Sequence, residues 1–105
     1  MKVQLLTFAG CPNAEAARDT LRSALAAPEI AAPVEEVDTN APETPESLRR
    51  WGSPTILIDG ADVEGLEAPT GASCRLYGDE AGRLRPTPSV DRLRLALERA
   101  ASRTP

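Results

Sequence analysis

The chain contains no histidine, and that absence removes more chemistry than any other feature of its 105 residues. Without imidazole there is no Ser–His or Cys–His catalytic pair, and the commonest zinc ligand is missing. Cys11 and Cys74 are the only cysteines, too few for a structural zinc site, which takes four ligands drawn mostly from Cys and His. Aromatic residues are scarce too. Phe8, Trp51 and Tyr77 are the whole set, so a core has to be built from Leu, Val, Ile and Ala. A basic excess is also lacking: the net charge of −4 argues against a nucleic-acid partner, whose affinity comes largely from Lys and Arg neutralising phosphates. The arginines at 83, 85, 92 and 94 are interspersed with acidic residues and read as solvated faces. No apolar run approaches the roughly 20 residues that cross a bilayer, and residues 1–8 lack the apolar core and cleavage site of a secretory signal. The expectation is a cytoplasmic protein with no membrane partner, in a compartment that keeps thiols reduced. Thiols, carboxylates, backbone amides and arginines are what remains for chemistry.

Hydrophobic content of 41% and charged content of 27% suit one small domain over residues 1–105. "MKVQLLTF" reads as a strand with apolar residues on both faces, as in the middle of a covered sheet. The period then becomes helical, with Ala14, Ala17, Leu21, Ala24 and Leu25 in one stripe. Pro12 fits a first helical turn, which makes Cys11 the expected N-cap. "PVEEVDT" is a weaker strand, and strand–helix–strand in about 40 residues makes a parallel, right-handed unit. "TPESLRRWG" reads as a short helix capped by Thr44, with Pro45 at its first position and Gly52 as its stop. In "SPTILIDGADVEG", Asp59-Gly60 is a two-residue hairpin turn between antiparallel strands. The last helix starts at Ser89 and places Val90, Leu93, Leu97, Ala100 and Ala101 on one face. Before it lies a segment of more than 20 residues rich in Gly, Pro and Ala, long enough to suggest a lid or a site.

The resulting order, β-α-β-α-β-β-α, resembles the thioredoxin and glutaredoxin fold. "GCPN" opens the first helix directly after the first strand, and "SPT" opens the third strand. With "SCRLY" further on, the chain is similar over nearly its whole length to small bacterial thioredoxin-like proteins, some of them labelled alkylmercury lyase. The resemblance implies an α/β domain with a four-stranded mixed sheet flanked by helices and a long loop before the last helix. It also implies a cis peptide before Pro54 and pairing of the Ser53 backbone with a bound substrate.

Cys11 is the candidate nucleophile. A thiol at a helix N-cap faces unsatisfied N–H groups and the positive end of the dipole, both of which favour thiolate. Ala14 stands where a dithiol thioredoxin carries its second cysteine, so Cys11 has no vicinal partner. Cys74 is the second candidate catalytic thiol; its alternative is a packing anchor beside Leu76 and Tyr77. Pro12, Asn13, Ser53 and Pro54 are the candidate substrate-binding residues. Arg75 reads as a surface charge, and Asp59 and Asp62 as turn and solvent residues at the end of the sheet away from Cys11. Three functions follow. The first is thiol–disulfide exchange with a protein or small-molecule thiol or disulfide, resolved by Cys74 or by glutathione as co-substrate, with no other cofactor. The second is soft-metal chemistry, in which Cys11 and Cys74 hold Hg(II) or attack an organomercurial. The third is a non-catalytic interaction module.

Overall fold

In a computed structural model, residues 1–26, 33–65 and 75–103 are described. Their order is β1 (Val3–Thr7), α1 (Ala14–Ala26), β2 (Val34–Asp38), α2 (Glu46–Arg49), β3 (Thr55–Ile58), β4 (Ala61–Asp62), β5 (Tyr77–Gly78), β6 (Leu84–Arg85) and α3 (Val90–Arg103). Four of the strands form one mixed sheet in the order β2-β1-β3-β4. β2 lies parallel to β1, while β3 is antiparallel to β1 and to β4. The chain is therefore an α/β protein built on a four-stranded mixed sheet.

The alternation inside β1 sorts its side chains between two layers. Val3 and Leu5, with Ile56 and Ile58 of β3, meet Ala17, Leu21 and Ala24 of α1 and Leu93, Leu97 and Ala100 of α3. On the opposite face Leu6 and Leu57 pack with Trp51, and Val37 of β2 and Leu48 of α2 close this smaller cluster. Both faces of β1 and β3 are covered, which is why "VQLLT" and "TILI" are buried along nearly their whole length. Ala101 departs from the expected α3 stripe and is exposed, one position past the buried Ala100. Leu97 is fully buried between α3 and the sheet. Leu97→Ala should cost about 2–5 kcal/mol, from lost transfer energy and an incompletely collapsed cavity, and urea unfolding monitored by circular dichroism reads it directly.

Local chemistry fixes the turns. Asp59 and Gly60 both have positive φ (51° and 85°), the geometry of a type I′ hairpin, which suits the right-handed twist of its strands. Asp59 also binds the start of β1: its N–H donates to the Lys2 carbonyl and its side chain accepts from the Lys2 N–H. Ser89 caps α3, its Oγ accepting from the Arg92 N–H at 3.1 Å. The short helix differs from expectation. α2 begins at Glu46 with Pro45 as its cap residue and no side-chain cap. The Thr44 hydroxyl donates instead to the Asp38 carbonyl at 2.5 Å, tying the end of β2.

Of the long segment before α3, residues 66–74, Cys74 among them, lie outside the described residues. The described remainder is a hairpin that the composition did not suggest, β5 paired with β6. Its turn is organised by one carboxylate. Asp79 Oδ1 accepts from the N–H groups of Ala81 and Arg83, and Oδ2 accepts from Arg85 Nε. The Arg83 N–H foremost, then Arg85, hold the Asp79 pKa below the usual carboxylate value. A lowered folded-state pKa means that this contribution is complete above about pH 4, the ordinary aspartate value. It is lost as the pH falls through the lowered one. In an acid titration followed by NMR, the Ala81 and Arg83 amides should stay unchanged from pH 7 to 5 and move only below about pH 4.

Candidate functional site

Two consecutive turns deliver Cys11. In "FAGC" the Cys11 N–H donates to the Phe8 carbonyl at 3.1 Å, with Gly10 at φ 85° in the third position, a place that calls for glycine in a turn of this kind. In "CPNA" the Ala14 N–H donates to the Cys11 carbonyl at 3.3 Å. Pro12 occupies the second position there, where its fixed φ is favourable and no N–H is required. The first helical bond of α1 runs from the Ala17 N–H to the Asn13 carbonyl at 3.0 Å. Asn13 is thus the residue at the cap, and Pro12 lies before the helix. This corrects the expectation that Cys11 caps α1. The thiol stands two residues ahead of the cap, and dipole effects fall off within about one turn of a helix end. Its place in the fold, and not a cap hydrogen bond, is what marks it. Cys11 is a free thiol, buried to 8% exposure, while Pro12 is exposed and Asn13 half-buried.

The sheet register places Ser53 and Pro54 at the same end. Leu6 pairs with Thr55 in the antiparallel β1–β3 ladder, so the chain leaving β1 toward Cys11 and the chain entering β3 through Ser53 and Pro54 share one end of the sheet. The Ser53–Pro54 peptide is cis, the isomer that the resemblance implies. Both residues are fully buried. The Ser53 hydroxyl is a buried polar group with no hydrogen-bond partner among the described residues.

Three successive carbonyls at this turn each accept a hydrogen bond. Gly52 O accepts from Thr55 Oγ1 at 2.6 Å, Ser53 O from the Arg75 N–H at 2.8 Å, and Pro54 O from the Tyr77 hydroxyl at 2.5 Å. The Arg75 side chain then reaches along the sheet to Asp62. Its two terminal nitrogens donate to the two carboxylate oxygens at 2.6 and 2.8 Å, and Nη1 also reaches Thr55 Oγ1 at 3.2 Å. The guanidinium lies 4.5 Å from the centre of the Tyr77 ring, within cation–π range. Burial works against the Arg75 charge, but the Asp62 hydrogen bonds and nearby anionic groups outweigh it, and the net shift is upward. Burial pushes the Tyr77 phenol well above its ordinary value, so Tyr77 is a hydrogen-bond donor at any physiological pH.

Two side chains expected at the surface are therefore internal. Arg75 is not a surface charge: its side chain is 10% exposed against 0% for Asp62. Asp62 is not a solvent residue, because its pairing opposite Leu57 turns it onto the sheet face that Arg75 covers. Asp59 keeps its turn role at the far end beside Lys2, and Asp62 keeps one as well, its Oδ2 accepting from the Glu64 N–H at 3.1 Å. Sequence periodicity misses the ion pair because β4 is two residues long and Arg75 is 13 positions away. The one available signal was the "DV" alternation after the hairpin turn, which sends Asp62 to one face and Val63 to the other.

Among the described residues, no group of three or more His, Cys, Asp and Glu is arranged to hold a metal ion. A two-sulfur site would need Cys74, which lies outside them. No helix among the described residues is long and apolar enough to cross a membrane. At the level of class, this is an α/β domain with a buried free thiol and a cis-proline turn at one end of its mixed sheet. No protein-family model, curated protein or solved structure matches the chain.

Proposed function

We propose that the chain is a thioredoxin-like thiol protein that uses Cys11 for thiol–disulfide exchange, with Cys74 or glutathione resolving the mixed disulfide. One observation carries the reading: a free cysteine in the β1–α1 connection shares a sheet end with a cis X–Pro turn. The α/β order and the parallel β1–β2 pair flanked by the antiparallel β3 are compatible with it.

In the proposed reaction, the Cys11 thiolate attacks one sulfur of a disulfide and the other half leaves as a thiolate. Cys11 is then held as a mixed disulfide. A second thiol attacks it, either Cys74 within the chain or a glutathione from solution, and regenerates or internally oxidises the protein. Ala14 removes the vicinal alternative, so resolution is slower to arrange and depends on a thiol from elsewhere. Pro12 and Asn13 directly follow Cys11 in the chain and are the residues proposed to meet the incoming reagent. The Ser53 hydroxyl, without a partner among the described residues, is a further hydrogen-bonding group at this end of the sheet.

Intact mass spectrometry after treatment with glutathione disulfide tests the reading. The expected products are one glutathione adduct on Cys11 and, if Cys74 resolves it, a chain lighter than the unmodified one by two hydrogen atoms, with both halves of the glutathione disulfide released as thiols. A wild-type protein unchanged in mass, under conditions that modify a free thiol, ends the proposal.

A further inference from the structure

The contacts on the Ser53–Pro54 turn bear on what Cys11 can react with, given the proposed exchange role. A polypeptide is commonly gripped in extended form by adding its main chain to a free sheet edge. At this end of the sheet that edge is already occupied. The Ser53 carbonyl is taken by the chain's own Arg75 N–H and the Pro54 carbonyl by Tyr77, and both residues are fully buried. Proline has no N–H to offer. Arg75 is fastened there by its own side chain, through the bidentate pair with Asp62 of β4. Cys11 itself is only 8% exposed, so a large reagent meets more obstruction on the way to its sulfur than a small one.

We infer that the Arg75–Asp62 ion pair sets substrate size at Cys11: it keeps the protein's own backbone on the Ser53 carbonyl, and so restricts exchange to small disulfides and excludes extended polypeptides. Asp62 acts through Arg75 and is a specificity-determining residue that touches no substrate. The step itself is the same for either reagent. A Cys11–sulfur bond forms as the reagent's S–S bond breaks, and the leaving half takes the electron pair and then a proton from water.

Two reagents separate the cases: glutathione disulfide and insulin, a disulfide-linked polypeptide. Single-turnover capture by Cys11 is followed by intact mass, each rate normalised to that of free cysteine with the same reagent. The wild type should capture insulin at least tenfold more slowly than glutathione disulfide on this scale. Asp62→Asn, which removes the charge that fastens Arg75, should raise insulin capture at least tenfold and leave the glutathione rate within twofold. If Asp62→Asn fails to fold by circular dichroism, Asp62→Leu with Arg75→Met replaces it, since it removes the ion pair without leaving a buried charge unpaired. Wild-type insulin capture within tenfold of the small reagent overturns the inference and leaves the exchange role standing, as does a folded variant with unchanged insulin capture. If neither reagent modifies Cys11, the exchange role falls and this inference falls with it.

Discussion

Cys11→Ser removes any oxidation product that requires two thiols and lowers capture of glutathione disulfide by at least about a hundredfold. The size of the effect follows from chemistry. The thiolate is the nucleophile of exchange, and a serine hydroxyl at the same place has no comparable ionised population near neutral pH. The substitution should leave the fold intact. The Cys11 N–H and C=O are both used by turns that do not involve the side chain, and serine is a close match in volume. Circular dichroism and a thermal melt close to wild type would establish that, so loss of capture reads as loss of the sulfur. Cys74→Ser is the companion. It should keep the adduct on Cys11 and remove only the internally oxidised product, whereas an undiminished adduct in Cys11→Ser would move the reactive thiol to Cys74.

Asp62→Ala destabilises the protein by about 3–5 kcal/mol, the usual cost of leaving a buried charge without its partner. For a domain of this size each kcal/mol corresponds to about 4–8 °C in Tm, so the melting point should fall by more than about 10 °C. The pair is enclosed enough for that range to apply, since the two side chains are 10% and 0% exposed. Thr55 and the Tyr77 ring also depend on the position of Arg75. Removing both charges at once should cost far less. Asp62→Leu with Arg75→Met fills a similar volume without a desolvated ion, and such replacements are often neutral or stabilising. Chemical denaturation of the single and double variants makes the comparison. A loss below about 1 kcal/mol for Asp62→Ala would place the pair among weak surface ion pairs, in conflict with its burial.

The elements whose signals are local were legible in the sequence. The strand alternation of residues 3–7, the helical stripe through Ala17, Leu21 and Ala24, the Asp59-Gly60 turn and the Ser89 cap each depend on residues a few positions apart. Two local readings failed where competing residues stood side by side. Asn13 took the cap assigned to Cys11 because Pro12 is better used in the preceding turn, and Thr44 was drawn to the Asp38 carbonyl instead of capping α2. The β5–β6 hairpin was missed because two-residue strands show no period, and its order comes from the Asp79 carboxylate.

By itself the sequence determined the chemical inventory, two thiols with no imidazole to activate them, and the order of the three helices and of the four strands of the main sheet, because composition and short-range periodicity are properties of the chain alone. Tertiary structure decided which groups meet. Pairing Leu6 with Thr55 brought the Cys11 connection and the Ser53–Pro54 turn to one end of the sheet, and folding residue 75 back over Asp62 turned two apparent surface charges into a buried ion pair. Such contacts join residues separated by 13 to 49 positions. They are fixed by register and burial, which no short window of sequence contains.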